Sequence, residues 1–416
     1  MSGFKIDIPP QWRHRIIWLI AAILAIGAGL LLAQRLHAIA DRYDQFDFTV
    51  FYGWWTDYLH GGNPWTDMSG PMRGCNYTPA FVEIFSPLAR LDQQTAFWIW
   101  QIAHLLCIVT AVLLLARAGA SPLGAAGTII TLSLVLLSRP FWGLLKWSQT
   151  APTLLVLLTA AWFCARRERP IAAGLWLALA ALLKLFPAAA AGYFLFGRRW
   201  RALVWTIGFF AAGVLLTNPV RWIELTGGLR IAYHVKAGHG GITALSFVRK
   251  NIAHFAGIRV FEEPLVAVWG FTALIDLALL AIAIEATVIA RGRADLDDLV
   301  FALWVALAFM MSPLAWERDI LLLVPAFLFG LIAAWQGFQH REPARKIALI
   351  VGVAMIAVCI ASGLIKAIPR PGFTLLLTAY LAAALIFHAR MRQELPRGEA
   401  RRSRLSDPGS TTARYR

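Results

Sequence analysis

Long apolar runs alternate with short, arginine-rich polar stretches along most of this chain, a pattern that predicts helices of membrane-spanning length rather than strands. The runs fall near residues 16–36, 94–116, 122–138, 150–165, 171–183, 186–197, 202–217, 264–290, 297–314, 319–338, 346–366 and 372–389. They predict an all-α polytopic membrane protein with about twelve spans and both chain ends on one side. The basic start with Lys5, Arg13 and Arg15 resembles a signal peptide. The run that follows is long and lacks a clear small-residue cleavage site, so it is read as an uncleaved first span.

Two segments break the rhythm after that span. Tyr43 to Pro64, YDQFDFTVFYGWWTDYLHGGNP, sets Asp44, Asp47 and Asp57 among eight aromatics and ends on the turn signal His60-Gly61-Gly62-Asn63-Pro64. Tyr77 to Leu91 is interrupted by Pro79, Glu83 and Pro87, too short and broken for a span. Both are expected to be amphipathic helices in a first outer loop, residues 37–93, with their aromatics in the headgroup belt as the structural alternative to a ligand site. A second outer loop is expected over 218–263, polar and glycine-rich around His239.

The stretch 170–198 needs its own reading. Basic clusters flank it, and Lys184 and Pro187 stand in its middle. A single span would put the clusters on opposite sides, whereas two short spans or a re-entrant hairpin broken at Lys184-Leu185-Phe186-Pro187 keep both inside. The hairpin is preferred, and it lifts Lys184 toward the outer face.

Composition sharpens this picture. With 59% hydrophobic and 15% charged residues over 416 positions, an ordinary soluble globule is excluded. The net charge of +16 resides mostly in clusters between apolar runs, which marks cytoplasmic loops rather than nucleic-acid binding. Residues 1–390 thus read as one membrane domain and 391–416 as a basic, disordered cytoplasmic tail against anionic lipid. The scattered cysteines, Cys75, Cys107, Cys164 and Cys359, form neither a disulfide framework nor a metal site, and no metal or cofactor is expected.

Cations that violate the inside rule carry information. Arg139, Lys146, Lys184, Arg221, Arg230, Lys236, Arg249, Lys250 and Arg318 fall on or near the expected outer side. Such cations suit the phosphate of a lipid carrier, although each could instead pair with an outer acid such as Glu224 or snorkel to phospholipid. Lys146-Trp147-Ser148-Gln149 joins a cation, an indole and an amide, groups that bind sugar rings, while a tryptophan at a span end is also an ordinary belt residue. Ser312 to Asp319, with Trp316, Glu317 and Arg318, concentrates polar groups at another outer junction. No phosphate-cradling glycine loop, HExxH or GxSxG motif is present, which argues against an ATP-driven pump or a nucleotide-sugar enzyme. An outward-facing transferase then needs a lipid-carried activated substrate.

An ordered series of motifs carries a family resemblance. It comprises Phe46-Asp47-Phe48-Thr49-Val50-Phe51-Tyr52, Leu59 to Trp65, Tyr77-Thr78-Pro79, Ser86-Pro87-Leu88, Gln149, Ala173-Gly174-Leu175, Lys184 to Pro187 and Ser312 to Trp316. The chain resembles polyprenol-phosphate-sugar-dependent glycosyltransferases of the GT-C type, most closely glycosyltransferase family 87. The resemblance implies a GT-C-like bundle in the plasma (inner) membrane with its active site facing the periplasm or extracytoplasmic side. It also implies transfer of a hexose, expected to be mannose, from a polyprenyl-phosphate donor to an envelope glycolipid or glycan.

On that resemblance Asp47 is the general base with Asp44 its rival, and Lys184 holds the donor phosphate, assisted by Lys146, Arg249 or Arg318. Tyr52, Trp147, Gln149, His239, Trp316 and Glu317 are the expected sugar or acceptor contacts. Glu317-Arg318-Asp319 departs from the histidines common at that place in the family. The alternatives are a transporter or flippase of a lipid-linked saccharide, or a non-catalytic assembly protein.

Overall fold

The computed structural model describes residues 9–40, 47–66, 75–117, 124–236, 244–248, 266–294, 296–312 and 317–339. Among these every regular element is helical. In chain order they are α1 (Pro10–Ala40), α2 (Asp47–Leu59), α3 (Pro79–Phe85), α4 (Gln93–Leu115), α5 (Gly124–Leu137), α6 (Arg139–Trp147), α7 (Ala151–Arg166), α8 (Pro170–Leu183), α9 (Gly192–Phe196), α10 (Trp200–Leu216), α11 (Pro219–Lys236), α12 (Ala244–Phe247), α13 (Val266–Ile289), α14 (Asp297–Met310) and α15 (Val324–Gln339). Short 3-10 helices occupy Ser86–Arg90, Phe186–Ala191 and Glu317–Leu323.

Three described helices, within α1, α4 and α13, are long and apolar enough to cross a membrane, or five if two bent pairs each count as one span. The pairs are α5 with α6, bent by 58°, and α10 with the start of α11, bent by 90°. The other expected spans, where described, form shorter helices. At a rise of about 1.5 Å per residue, α7, α8 and α14 are shorter than the roughly 30 Å hydrocarbon layer. The expected spans at 346–366 and 372–389 lie outside the described residues. Helix α1 exposes Leu19, Ile23, Ile26 and Leu30, a face suited to hydrocarbon rather than water. By contrast α14, apolar on all sides beyond its first turn, is buried from Leu299 to Met310 and forms the central pillar.

The hairpin of α7 and α8 organises the site. Arg166 and Pro170 mark its closed end, and Gln149 and Lys184 stand together at the other, about 21 Å away for a 14-residue helix. After Lys184 the chain returns through Phe186–Phe196 to Arg198, and both basic clusters meet around one cavity at the closed end. The broken hairpin expected from Lys184 and Pro187 is therefore present. Its cause is local: Pro187 has no N–H, and its ring excludes a helical carbonyl at Leu183.

Helix α8 also approaches α10 closely at Gly174. A Cβ there would stand 2.7 Å from Trp205 Cβ and 2.8 Å from both the Ala202 carbonyl and the Thr206 amide, mostly backbone that cannot yield. Gly174→Ala is expected to destabilise the protein by about 1–3 kcal/mol. A melting curve of the detergent-solubilised variant checks this, and an unchanged midpoint contradicts the tight crossing.

Candidate functional site at the ends of α2, α7 and α8

Asp47 is the first residue of α2, where the helix N-terminus favours a carboxylate. Below it the aromatics turn inward: Phe48, Phe51, Trp54 and Trp55 are buried. Phe48 meets Phe97 at 5.5 Å between ring centroids, Phe51 meets Tyr77 at 5.1 Å, and Trp55 meets Trp100 at 5.4 Å. These rings cement α2 to α3 and α4. Edge-to-face packing and burial give these rings partners inside the protein, which weighs against the headgroup-belt alternative. Within Tyr77–Leu91, helix α3 packs by its first turn, with Pro79 to Val82 buried.

Gln149 reaches Asp47 through an unusual turn. Ser148 ends α6 in the left-handed region (φ 52°), and α4 holds it there. Trp100 donates its indole N–H to the Ser148 carbonyl at 2.8 Å, and the Gln101 amide donates to the Leu145 carbonyl and the Ser148 hydroxyl, each at 2.8 Å. The Gln149 amide then donates to Asp47 Oδ2 at 2.5 Å and accepts from the Tyr77 hydroxyl at 3.2 Å. Both ends of this side chain are engaged within the protein, so Gln149 orients Asp47.

Tyr77 and Thr78 tie this cluster to Lys184. The Trp65 indole donates to the Tyr77 carbonyl at 2.8 Å. Thr78 accepts the Phe81 amide at 3.3 Å, capping α3, and donates to the carbonyl of Leu182. It thereby satisfies the end of α8 just where Pro187 interrupts it. Lys184, extended at φ −154° and ψ 132°, lies with Nζ 5.3 Å from the Tyr77 ring centroid and 3.9 Å from Asp319 Oδ2. Lys184 is 9% and Asp319 1% exposed, so this ion pair is largely shielded from water. Burial pushes the Tyr77 phenol up, the nearby Lys184 ammonium opposes that shift, and the hydroxyl stays a donor.

A continuous polar line thus runs Asp47, Gln149, Tyr77, Lys184, Asp319. Sequence reasoning placed Tyr77 and Thr78 in a motif without a role and read Asp319 as part of a polar junction and as a departure from the family, without naming Lys184 as its partner. The Thr-Pro capping signal was the available clue to Thr78.

Other expected site residues fall around or away from this line. Trp147, 36% exposed, forms its rim with Lys146 Nζ 5.6 Å from the indole. Tyr52 donates its hydroxyl to the Leu91 carbonyl at 2.7 Å, linking α2 to the end of the Ser86–Arg90 turn. Asp57 lies in the last turn of α2, and its carboxylate packs against the turn that follows, where a Cβ on Gly62 would stand 2.0 Å from its Oδ1. Arg221 lies over Tyr58, 4.3 Å from the ring centroid, at the far end of α2. Glu317 and Arg318 lie in the Glu317–Leu323 helix, and their side chains fall outside the description. Asp44, His239, Arg249 and Trp316 lie outside the described residues.

Gln149→Leu is expected to lower turnover roughly ten- to hundredfold, the equivalent of a hydrogen bond to a charged group, about 1.5–3 kcal/mol. Donor binding should stay near parental. Steady-state rates beside direct donor binding measure the difference; parental turnover would remove the orienting role from Gln149.

Membrane-length apolar helices around a shielded line of two carboxylates, an amide, a phenol and an ammonium define a membrane protein with an ionisable site at its helix ends. Comparison with known proteins takes this further: the model of glycosyltransferase family 87 matches residues 76–313, more than half of the chain, and the chain belongs to that family. A Mycobacterium tuberculosis protein described as a polyprenol-phosphate-mannose-dependent alpha-(1-2)-phosphatidylinositol mannoside mannosyltransferase is 27% identical over 194 residues. That match spans 46% of this chain and 43% of the relative's length. The family match takes in Tyr77, Gln149 and Lys184, begins after Asp47 and ends before Asp319.

Proposed function

We propose that this protein transfers a hexose, mannose, from a polyprenyl-phosphate donor to a glycolipid or glycan acceptor on the outer face of the plasma membrane, within a bundle of about twelve crossings. The observation that carries the reading is the polar line joining a carboxylate, Asp47, to a lysine, Lys184, inside an apolar bundle of this family. Asp47 takes the proton of the acceptor hydroxyl as its oxygen bonds to the anomeric carbon. The bond from that carbon to the phosphate oxygen breaks, its electron pair leaves with the polyprenyl phosphate, and the configuration inverts. Lys184 turns from Asp319 to the phosphate and offsets the charge on the leaving oxygen. The mycobacterial relative, a polyprenol-phosphate-mannose-dependent phosphatidylinositol mannoside mannosyltransferase, supports the donor class and a glycolipid acceptor.

The deciding experiment supplies synthetic polyprenyl-phosphate-mannose and extracted envelope lipids to the purified full chain in liposomes. Radiolabelled mannose should appear in an acceptor product. Movement of the donor across the bilayer without transfer would favour a transporter instead.

Sidedness has its own check. A reporter active only outside the cytoplasm should work when fused near Asn63 and fail near Arg167 or Arg293. A cytoplasmic signal at Asn63 would put Asp47 on the wrong side for a lipid-delivered donor.

A further inference from the structure

At the closed end of the α7–α8 hairpin, remote from Asp47, a cavity of about 990 Å³ opens between three helix-connecting turns. Arg166, Arg198, Arg199, Arg201, Arg291 and Arg293 line it. Its carboxylates are Glu168, Asp297 and Asp298. Two of these acids are already engaged. Arg166 pairs with Asp298, which also accepts from the Trp162 indole at 3.1 Å. Arg199 pairs with Asp297 at 2.5 Å, and Asp297 accepts from the Tyr193 hydroxyl at 2.8 Å. Among the described lining residues, Arg198, Arg201 and Arg291 then stand beside Glu168, the one carboxylate outside these two pairs.

The wall is held in place rather than formed by loose side chains. Arg291 donates its Nε to the Phe196 carbonyl at 2.7 Å, bracing one turn against another. Glu168 (φ 55°), Arg198 (φ 58°) and Gly292 (φ 74°) each take the left-handed conformation, one in each turn. Non-glycine residues in that region persist only where surrounding contacts hold them. Between the arginines the lining is apolar, with Ala165, Pro170, Ala202 and Val300, and Trp200 is 54% exposed.

A general role as topology signals accounts for arginines in such turns, but not for a braced cavity with apolar walls and an excess of guanidinium groups. Guanidinium forks match phosphate oxygens bidentately. We propose that this cavity binds a phosphate-bearing group with at least two negative charges, at a site separate from that of sugar transfer. The apolar lining suits a lipid headgroup whose glycerol and first acyl carbons lie against Ala202 and Trp200; a free pyrophosphate shares the chemistry.

The test uses the full chain in nanodiscs and detergent. One arm measures retained cardiolipin against phosphatidylcholine by native mass spectrometry, and the other measures the pyrophosphate-induced rise in melting temperature. Arg198→Gln/Arg201→Gln is expected to weaken the responding arm at least tenfold. Arg13→Gln/Arg15→Gln, which removes equal charge from the start of α1, should leave it within twofold. A response in the lipid arm identifies a membrane source, and one in the pyrophosphate arm alone a soluble source; either supports the site. Should the double variant fail to fold, Arg201→Gln alone, exposed at the cavity, is read the same way. Equal losses in the cavity and α1 variants, or no selective response in either arm, overturn the proposal.

Discussion

Asp47→Asn should cut sugar transfer by about a hundred- to ten-thousandfold, the usual cost of removing a general base. The substitution keeps the shape of the side chain, and its amide oxygen can still accept the Gln149 N–H, so donor binding and melting temperature should stay near parental. Asp57→Asn is the control on the same helix. Asp57 lies ten residues on, about 15 Å along α2, and its carboxylate packs beside Gly62 in the following turn. Its loss should leave transfer within a few-fold. The competing acids give the experiment its edge, since Asp319 lies on the same polar line and Asp44 precedes Asp47 by three residues. If Asp47→Asn turns over within a few-fold of the parent while Asp319→Asn or Asp44→Asn does not, the base is another carboxylate. If none of the three matters, the transferase mechanism fails.

How much of this could be read from the chain alone depended on whether the cause was local. The break after α8 was legible, because Pro187 forbids a helical partner for Leu183 wherever it stands. The return of the chain to the Arg166 face followed from the same proline and the two arginine clusters. The turn at His60 to Pro64 was also legible, since glycine and asparagine permit the backbone it needs, and Gly61 adopts φ 83°. The fate of the aromatics was not. Phe48 and Trp55 have the same composition whether they face headgroups or other rings, and only the packing of α3 and α4 against α2 decides it. That Gln149 suits a saccharide, an amide beside a tryptophan, is a local reading. Its engagement by Asp47 and Tyr77 arises from contacts 102 and 72 residues away in sequence. Asp319 shows the same limit. A residue that broke the expected motif became the partner of the lysine the motif highlighted, and no local pattern announces such a pair.

That pairing governs what Lys184 variants should do. Lys184→Ala removes the ammonium and leaves the Asp319 carboxylate shielded from water without its lysine, a change that typically costs about 3–5 kcal/mol. A lower melting temperature is therefore expected, and lost activity in that variant alone says little about donor binding. Adding Asp319→Asn removes the buried charge that Lys184 balanced, so Lys184→Ala/Asp319→Asn should recover much of the stability. Its affinity for polyprenyl phosphate should nevertheless stay low, because the ammonium beside Tyr77 is gone. Lys184→Arg keeps a charge that both Asp319 and a phosphate can accept, and should retain a good part of donor binding with near-parental stability. Melting curves and polyprenyl phosphate binding on the three variants separate the two roles of this lysine. If the double variant is stable and binds the lipid phosphate as the parent does, Lys184 serves only to neutralise Asp319, and the cation that meets the donor must be sought elsewhere.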